Sequence, residues 1–150
     1  VYGPGQQLYR IIPRAFLSAK TNKRMELHGG GKSSRAFIHI DDVVDATMRI
    51  ALDAEPGTTW HISTNDAISI SDLVKKIFAL TNSDFDNLVV NVDERLGKDQ
   101  NYLLNSDKLR KVHSWSDKIN LELGLESTLK WIEKHLSILR DLPWDYQHKS

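Results

Sequence analysis

Apolar residues return on a helical period in three well-separated stretches, and that pattern limits the possible folds more than any other feature of the sequence. Leu125, Leu129, Ile132, Leu136 and Leu139 fall at i, i+4, i+7 spacing, so one face of a closing helix has to be buried. Ile12, Ala15, Phe16 and Ala19 make a second such face, with Pro13 in the first turn, where its missing N–H costs nothing. Leu73, Val74, Ile77, Phe78 and Leu80 make a third, behind Ser71 as the expected cap. Residues 41–53 read differently. Val43, Val44, Ala46, Met48, Ile50, Ala51 and Leu52 are apolar almost all round. They predict a helix opened by Asp41 or Asp42 and buried on more than one side.

Between these helices, Met25–His28, Ala36–Ile40, Thr58–Ser63 and Leu88–Val92 read as short strands. Gly29-Gly30-Gly31-Lys32-Ser33-Ser34 is a loop, expected to join two of them in hairpin fashion. Ser106 is expected to cap a short helix from Asp107 to about Val112, and Pro143 to help end the last one. The order is mixed α/β in one domain, residues 1–150, without the regular strand–helix alternation of a doubly wound sheet.

Several function classes are excluded early. With 40% hydrophobic and 27% charged residues, the 150-residue chain has an ordinary globular composition. No apolar run approaches the roughly 20 residues that span a membrane. The sequence has no cysteine, which removes disulfides and thiolate metal sites and agrees with a reducing, cytoplasmic setting. Its six histidines lack the i, i+4 pairing of a helical zinc site, so no metal is expected. No Gly-x-Ser-x-Gly elbow is present. Gly31-Lys32-Ser33 is not a P-loop, because Glu26 stands where the first glycine belongs and a strand pattern follows the serine. Asp41-Asp42 suits a helix start better than an acid/base pair.

Net charge is zero but unevenly placed. Residues 1–40 carry seven lysines and arginines against one acid, Glu26, whereas residues 41–99 carry five against twelve. Two solvated faces of opposite sign would give this pattern, and so would an anionic ligand near the N-terminal segment. A nucleic acid partner is not expected, since aromatics do not interleave with the basic residues and the pI is about 7.2. Arg35, where the glycine loop meets a strand, and Arg95, in Arg95-Leu96-Gly97-Lys98-Asp99, offer planar forks of donors that match phosphate oxygens.

Four separated motifs together resemble the sugar-nucleotide-binding end of the extended short-chain dehydrogenases, the NAD-dependent epimerase/dehydratase family, with most likeness to the 4,6-dehydratases. Val1-Tyr2-Gly3-Pro4 is similar to the tail of the family's Asn-x-Tyr-Gly-Pro. Arg10-Ile11-Ile12-Pro13 is similar to its basic residue before Ile-Pro. Gly29 through Asp42 follows Gly-x-Gly-x-x-x-Arg-x-Phe-x-x-Val-x-Asp. Arg95 through Tyr102, followed by Lys108-Leu109 and Trp115, follows Arg-Pro-Gly-His-Asp-x-x-Tyr and Lys-Leu-x-x-x-x-x-Trp, with Leu96 in place of the proline and Lys98 in place of the histidine.

The resemblance implies the C-terminal, mixed helix and short-strand part of an extended Rossmann-type enzyme, lacking the nucleotide-binding βαβ half. It implies that Arg35 and Arg95 hold the diphosphate of a nucleotide-diphosphate sugar, with Lys98 beside it, Arg10 near the sugar or phosphates and Asn65 at the nucleotide. Tyr2 would stand near the cofactor, NAD. The implied reaction of the whole enzyme is oxidation at sugar C4, loss of water across C5–C6 and return of the hydride. Alternatives are a 4-epimerase or a decarboxylase of the same superfamily, or a stand-alone non-catalytic binding module. No Gly-x-x-Gly-x-x-Gly turn occurs, and no tyrosine has a lysine four residues on. No catalytic residue is therefore assigned, and no turnover is expected of these residues alone. The expected partners are the N-terminal Rossmann half and, in the full-length enzyme, a second copy in a homodimer. Self-association or poor stability, from the apolar faces of the residue 41–53 helix, is expected when that half is absent.

Overall fold

The structure is a computed structural model that describes residues 1–94, 97 and 99–144. Helix α1 (Ile11–Thr21) leads into strand β1 (Met25–His28), a tight turn at Gly29–Gly31, strand β2 (Ser34–Ala36) and helix α2 (Ile40–Asp53). Strand β3 (Ala67–Ser69) runs directly into α3 (Ile70–Leu80); α4 (Phe85–Leu88) runs directly into β4 (Val89–Val92). Strand β5 (Asn101–Tyr102), α5 (Asp107–Val112) and α6 (Leu121–Leu139) complete the order.

The three amphipathic helices pack as their spacing requires. Ile12, Phe16 and Leu17 of α1 meet Leu73, Val74, Ile77 and Phe78 of α3 and Leu125, Ile132 and Leu139 of α6 in one core. Met25 and Leu27 of β1 join it, and so does the ring of Tyr2. A smaller cluster of Ile38, Ala46, Leu109 and Trp115 lies beneath α2. Truncating a side chain as deeply buried as Phe16 would cost about 3–5 kcal/mol through lost burial and the cavity left behind.

Two small sheets carry the strands. β1 pairs in parallel with β4, Met25 opposite Val89. β2 lies between β3, antiparallel, and β5, parallel. The expected hairpin between Met25–His28 and Ala36–Ile40 is therefore absent: β1 and β2 belong to different sheets, and of Ala36–Ile40 only Ala36 lies in β2, with Ile40 already opening α2. Gly29, Gly30 and Gly31 explain this, for all three are left-handed, with φ of 59, 62 and 66°. Such a run winds the chain sharply the wrong way for other residues and sends β2 off the edge of β1. At Gly31 there is also no room for a side chain, because a Cβ would lie 2.8 Å from Leu27 Cδ2 and from the Ser71 nitrogen.

Other boundaries shift for local reasons. Ser69, not Ser71, caps α3, its Oγ accepting from the Asp72 N–H at 3.0 Å, because the helix starts where β3 stops. His39 caps α2, its Nδ1 accepting from the Asp41 N–H at 3.3 Å. Asp42 is buried and takes the N–H groups of Lys118 and Ile119 at 2.9 and 3.0 Å. Ser106 donates to the Ser63 carbonyl at 2.9 Å, leaving Asn105 Oδ1 to receive the Asp107 N–H. The expected strand Thr58–Ser63 is not formed: the segment lies in no ladder with the described strands. α2 departs most from expectation. It buries Asp42 and Ala46 but leaves Ile40, Val44, Met48 and Leu52, a row at every fourth residue, between 36% and 75% exposed.

Candidate functional site

A groove of about 1270 Å³ runs between the N-terminal segment, the start of α1, strand β2 and the stretch from β5 to Leu104. Ile62, Ser63 and Ile70 close it on the remaining side. Arg10, Arg14 and Arg35 line it; among the described residues no aspartate or glutamate does. The helix adds to this charge. α1 has no acid in its first turn and no side-chain cap at Arg10, so the positive end of its dipole is left uncompensated beside the groove. Cations at a helix N-terminus are unfavourable by themselves. Arg10, at that end, carries a cost that an anionic ligand would offset, and Arg14 lies one turn further along the same helix.

The sequence-expected residues are distributed unequally around this groove. Arg10 is exposed, with its guanidinium carbon 5.2 Å from the centre of the Tyr9 ring. Arg35 lines the groove while much of its fork is already engaged: Nη1 donates to the carbonyls of Ser34 and Gln100 at 2.7 and 3.3 Å, and Nη2 to that of Asp99 at 2.7 Å. It therefore fastens the approach to β5 onto β2 and leaves Nε and part of Nη2 for a ligand. Arg95 and Lys98 lie outside the described residues. Asn65 is exposed on the loop before β3 and does not line the groove. Its neighbours Thr64 and Asp66 face a second cavity of about 240 Å³, bounded also by residues 117–121 and by Phe37, which borders both spaces.

Tyr2 sits at the groove floor but is 1% exposed. Its hydroxyl donates to the Leu121 carbonyl at 3.4 Å, and its ring meets Phe37 and His39 edge-on. Burial, then the carboxylates of Asp42 and Glu122, push its pKa well above the ordinary tyrosine value. This phenol is a packed, protonated anchor and offers no free proton to a cofactor. Its backbone ties the N-terminal segment to the start of α2, donating to Ile38 O at 3.0 Å and accepting from Ile40 N at 2.8 Å.

Ser63 is held in the groove wall by a polar clamp. Arg110 donates Nη2 to the Ser63 carbonyl at 3.0 Å and to Asp117 Oδ1 at 2.6 Å, and Nε to Ser106 Oγ at 3.1 Å. Burial raises the Asp117 pKa, but hydrogen bonds from Arg110 and Thr64 outweigh it and hold the carboxyl below its usual range. Among the described residues no group of three histidines, aspartates or glutamates is placed to hold a metal. No described helix is long and apolar enough to cross a membrane.

The NAD dependent epimerase/dehydratase family matches residues 1–63, the stretch that supplies Arg10, Arg14 and Arg35. The dTDP-D-glucose 4,6-dehydratase of Mus musculus is 30% identical over 140 residues, covering 90% of this chain and 39% of that protein. The chain is homologous to part of the NAD-dependent nucleotide-sugar dehydratases. A trifunctional UDP-glucose 4,6-dehydratase, 3,5-epimerase and reductase of Arabidopsis thaliana is 33% identical over 131 residues, which cover 87% of this chain and 19% of that one. The crystal structure of dTDP-glucose 4,6-dehydratase from Bacillus anthracis with NAD superposes with a TM-score of 0.84 at 26% identity, covering 91% of this chain and 43% of that one. The chain thus spans about two fifths or less of these relatives.

Sequence reasoning passed over Arg14 and Tyr102 as groove residues. Arg14 was findable, since it repeats the charge of Arg10 one turn later. Tyr102 closes the Arg95–Tyr102 motif, but its place in the groove depends on a two-residue strand whose partner lies more than sixty positions earlier.

Proposed function

We propose that the chain is the nucleotide-sugar-holding portion of an NAD-dependent 4,6-dehydratase, with the groove as the seat of the nucleotide diphosphate. One observation carries the reading: in a chain homologous to such enzymes, the groove is lined by Arg10, Arg14 and Arg35 and by no carboxylate among the described residues. Guanidinium forks suit a diphosphate, and they stay charged at every working pH. The volume exceeds the few hundred Å³ that a small ligand fills, so a second wall is needed to exclude water.

The exposed row Ile40, Val44, Met48 and Leu52 supports the same conclusion. Ile40 also lines the groove, so whatever covers α2 borders the ligand. We assign that cover to the NAD-binding part of the enzyme. The described residues do not fit NAD by themselves: the Tyr2 hydroxyl is engaged in a hydrogen bond to the Leu121 carbonyl, and no glycine-rich strand-to-helix turn is present among them to cradle a pyrophosphate. The role assigned to this chain is therefore positioning. Fixing the diphosphate fixes the sugar against its reaction partners and removes part of the entropic barrier. Both dTDP- and UDP-sugar enzymes are among the relatives, so the base is left open.

Isothermal titration of the chain with dTDP-glucose and UDP-glucose tests this. Binding that weakens as salt rises, and that Arg10→Ala and Arg14→Ala each reduce, is expected. Absence of binding by either sugar nucleotide and by inorganic pyrophosphate at millimolar concentration would remove the reading.

A further inference from the structure

We propose that His39 is a positioning residue beneath the groove, a latch that holds the N-terminal wall in place while its ring is neutral and releases it when acid protonates the ring. His39 is 3% exposed and lies where three elements meet. Its Nδ1 accepts from the Asp41 N–H at 3.3 Å and so caps α2. Its Nε2 is 3.2 Å from Ser127 Oγ of α6, and that hydroxyl donates to the Gly124 carbonyl at 2.9 Å. The ring stands edge-on to that of Tyr2, with 5.5 Å between centres. The groove wall rests on this arrangement. Tyr2 bridges to His39 in parallel, with backbone bonds to Ile38 and Ile40 on either side. A Cβ on Gly3 would lie 3.3 Å from His39 Nε2, and Gly3 and Ile40 both line the groove.

These bonds fix the protonation state. An Nδ1 that accepts carries no proton, so in the neutral ring Nε2 carries it and donates to Ser127 Oγ. A second proton can go only to Nδ1, and there it meets the Asp41 N–H, donor against donor. α2 then loses its cap, and a cation stands at the positive end of the helix. The acids around the ring do not reverse this. Asp41 Oδ2 is 3.5 Å from Nδ1, but its side chain is 74% exposed, so solvent screens the attraction. The buried Asp42 carboxylate is taken by the Lys118 and Ile119 N–H groups. On α6, Glu122 pairs with Lys76 at 2.9 Å and Glu126 is exposed. From the N-terminal segment the ring meets the protonated Tyr2 phenol, which adds no charge.

The test is NMR of the ring nitrogens and backbone amides in the isotopically labelled chain, from about pH 7.5 to about pH 5, across the ordinary histidine range. His39→Asn and His39→Gln are the variants. Asparagine keeps a cap acceptor that does not titrate; glutamine can keep a donor toward Ser127 but is not a favoured cap. At the upper pH the His39 ring should carry its proton on Nε2 alone. As Nδ1 takes a proton, the amides of Gly3, Asp41 and Ser127 should shift with the same midpoint. In chemical denaturation over this range the folding constant of the unsubstituted chain should fall roughly 2- to 30-fold more than that of His39→Asn, the range that a lost cap supports. His39→Gln should already show that loss at the upper pH. A proton on Nδ1 at the upper pH, a ring that stays neutral throughout, amides that do not follow the ring, or equal acid losses in the unsubstituted chain and His39→Asn each overturn the latch. Should His39→Asn fail to fold, the ring and amide signals of the unsubstituted chain decide. No ligand enters these measurements, so their outcome is separate from what the groove binds.

Discussion

Replacing Arg35 with alanine separates the two tasks its guanidinium carries. The fork donates to Ser34 O, Asp99 O and Gln100 O. The first is a neighbour contact, and the other two join β2 to the segment entering β5 across more than sixty residues. At about 1 kcal/mol net for each of these long-range bonds, Arg35→Ala should lower stability by roughly 2 kcal/mol. Chemical denaturation with the slope held free measures this. If Arg35 also contacts the diphosphate, the same variant should weaken UDP binding by about tenfold or more, since one charge-assisted bond is worth at least 1.4 kcal/mol. Arg35→Lys sharpens the comparison. It keeps the charge but cannot reach two carbonyls in one plane, so it should recover more of the affinity than of the stability. A variant that loses about 2 kcal/mol of stability and no affinity would make Arg35 a strand fastener only, and would refute its role at the ligand.

The left-handed turn gives a paired test: Gly30→Ala meets no atom within 4 Å and should cost about 1–2 kcal/mol from backbone strain alone, whereas Gly31→Ala adds the clash with Leu27 and Ser71 and should cost visibly more. Equal losses in thermal melts would contradict the close packing at Gly31. Val44→Glu with Met48→Glu should turn a self-associating chain into a monomer by light scattering, because both side chains lie on the uncovered row of α2; a monodisperse parent monomer would count against that row being an unfilled interface. Asp117 has its folded pKa held down, so it contributes stability above its unfolded pKa of about 3.8 and loses it as pH falls through the folded value. The loss as pH falls below 3.8 should shrink in Asp117→Asn; an unchanged acid limb would show that the Arg110 clamp contributes nothing. Tyr2 has its pKa raised, so stability should begin to fall once pH passes the ordinary tyrosine value of 10.0, and Tyr2→Phe should flatten that alkaline limb; an unaltered limb would place its cause elsewhere.

Much of the helical framework is legible in the residues because burial repeats locally. Ile12, Ala15, Phe16 and Ala19 announce the inner face of α1, and Leu125, Ile132 and Leu139 that of α6. Strands are harder, since alternation states only that a segment would suit a sheet. Thr58–Ser63 has that alternation and remains unpaired, because the pattern cannot supply the neighbour. The apolar excess in α2 is equally visible, but a sequence does not reveal which of its sides has a partner within the same chain. The site shows the same division. Arg10 and Arg35 stand out as planar cations at turn and strand boundaries, and both line the groove. The carbonyls that claim Arg35, the burial of the Tyr2 ring and the absence of Asn65 from the groove lining are products of long-range packing.

The central claim is that an arginine-lined groove receives a nucleotide diphosphate. Titrating UDP or dTDP into isotopically labelled chain and following backbone amides by NMR tests it most directly. Saturable shifts gathered at residues 9–14, 35–38 and 102–104 are the result the account predicts. Shifts confined to the cavity around Asp66 and Asp117, or none at all, would contradict it.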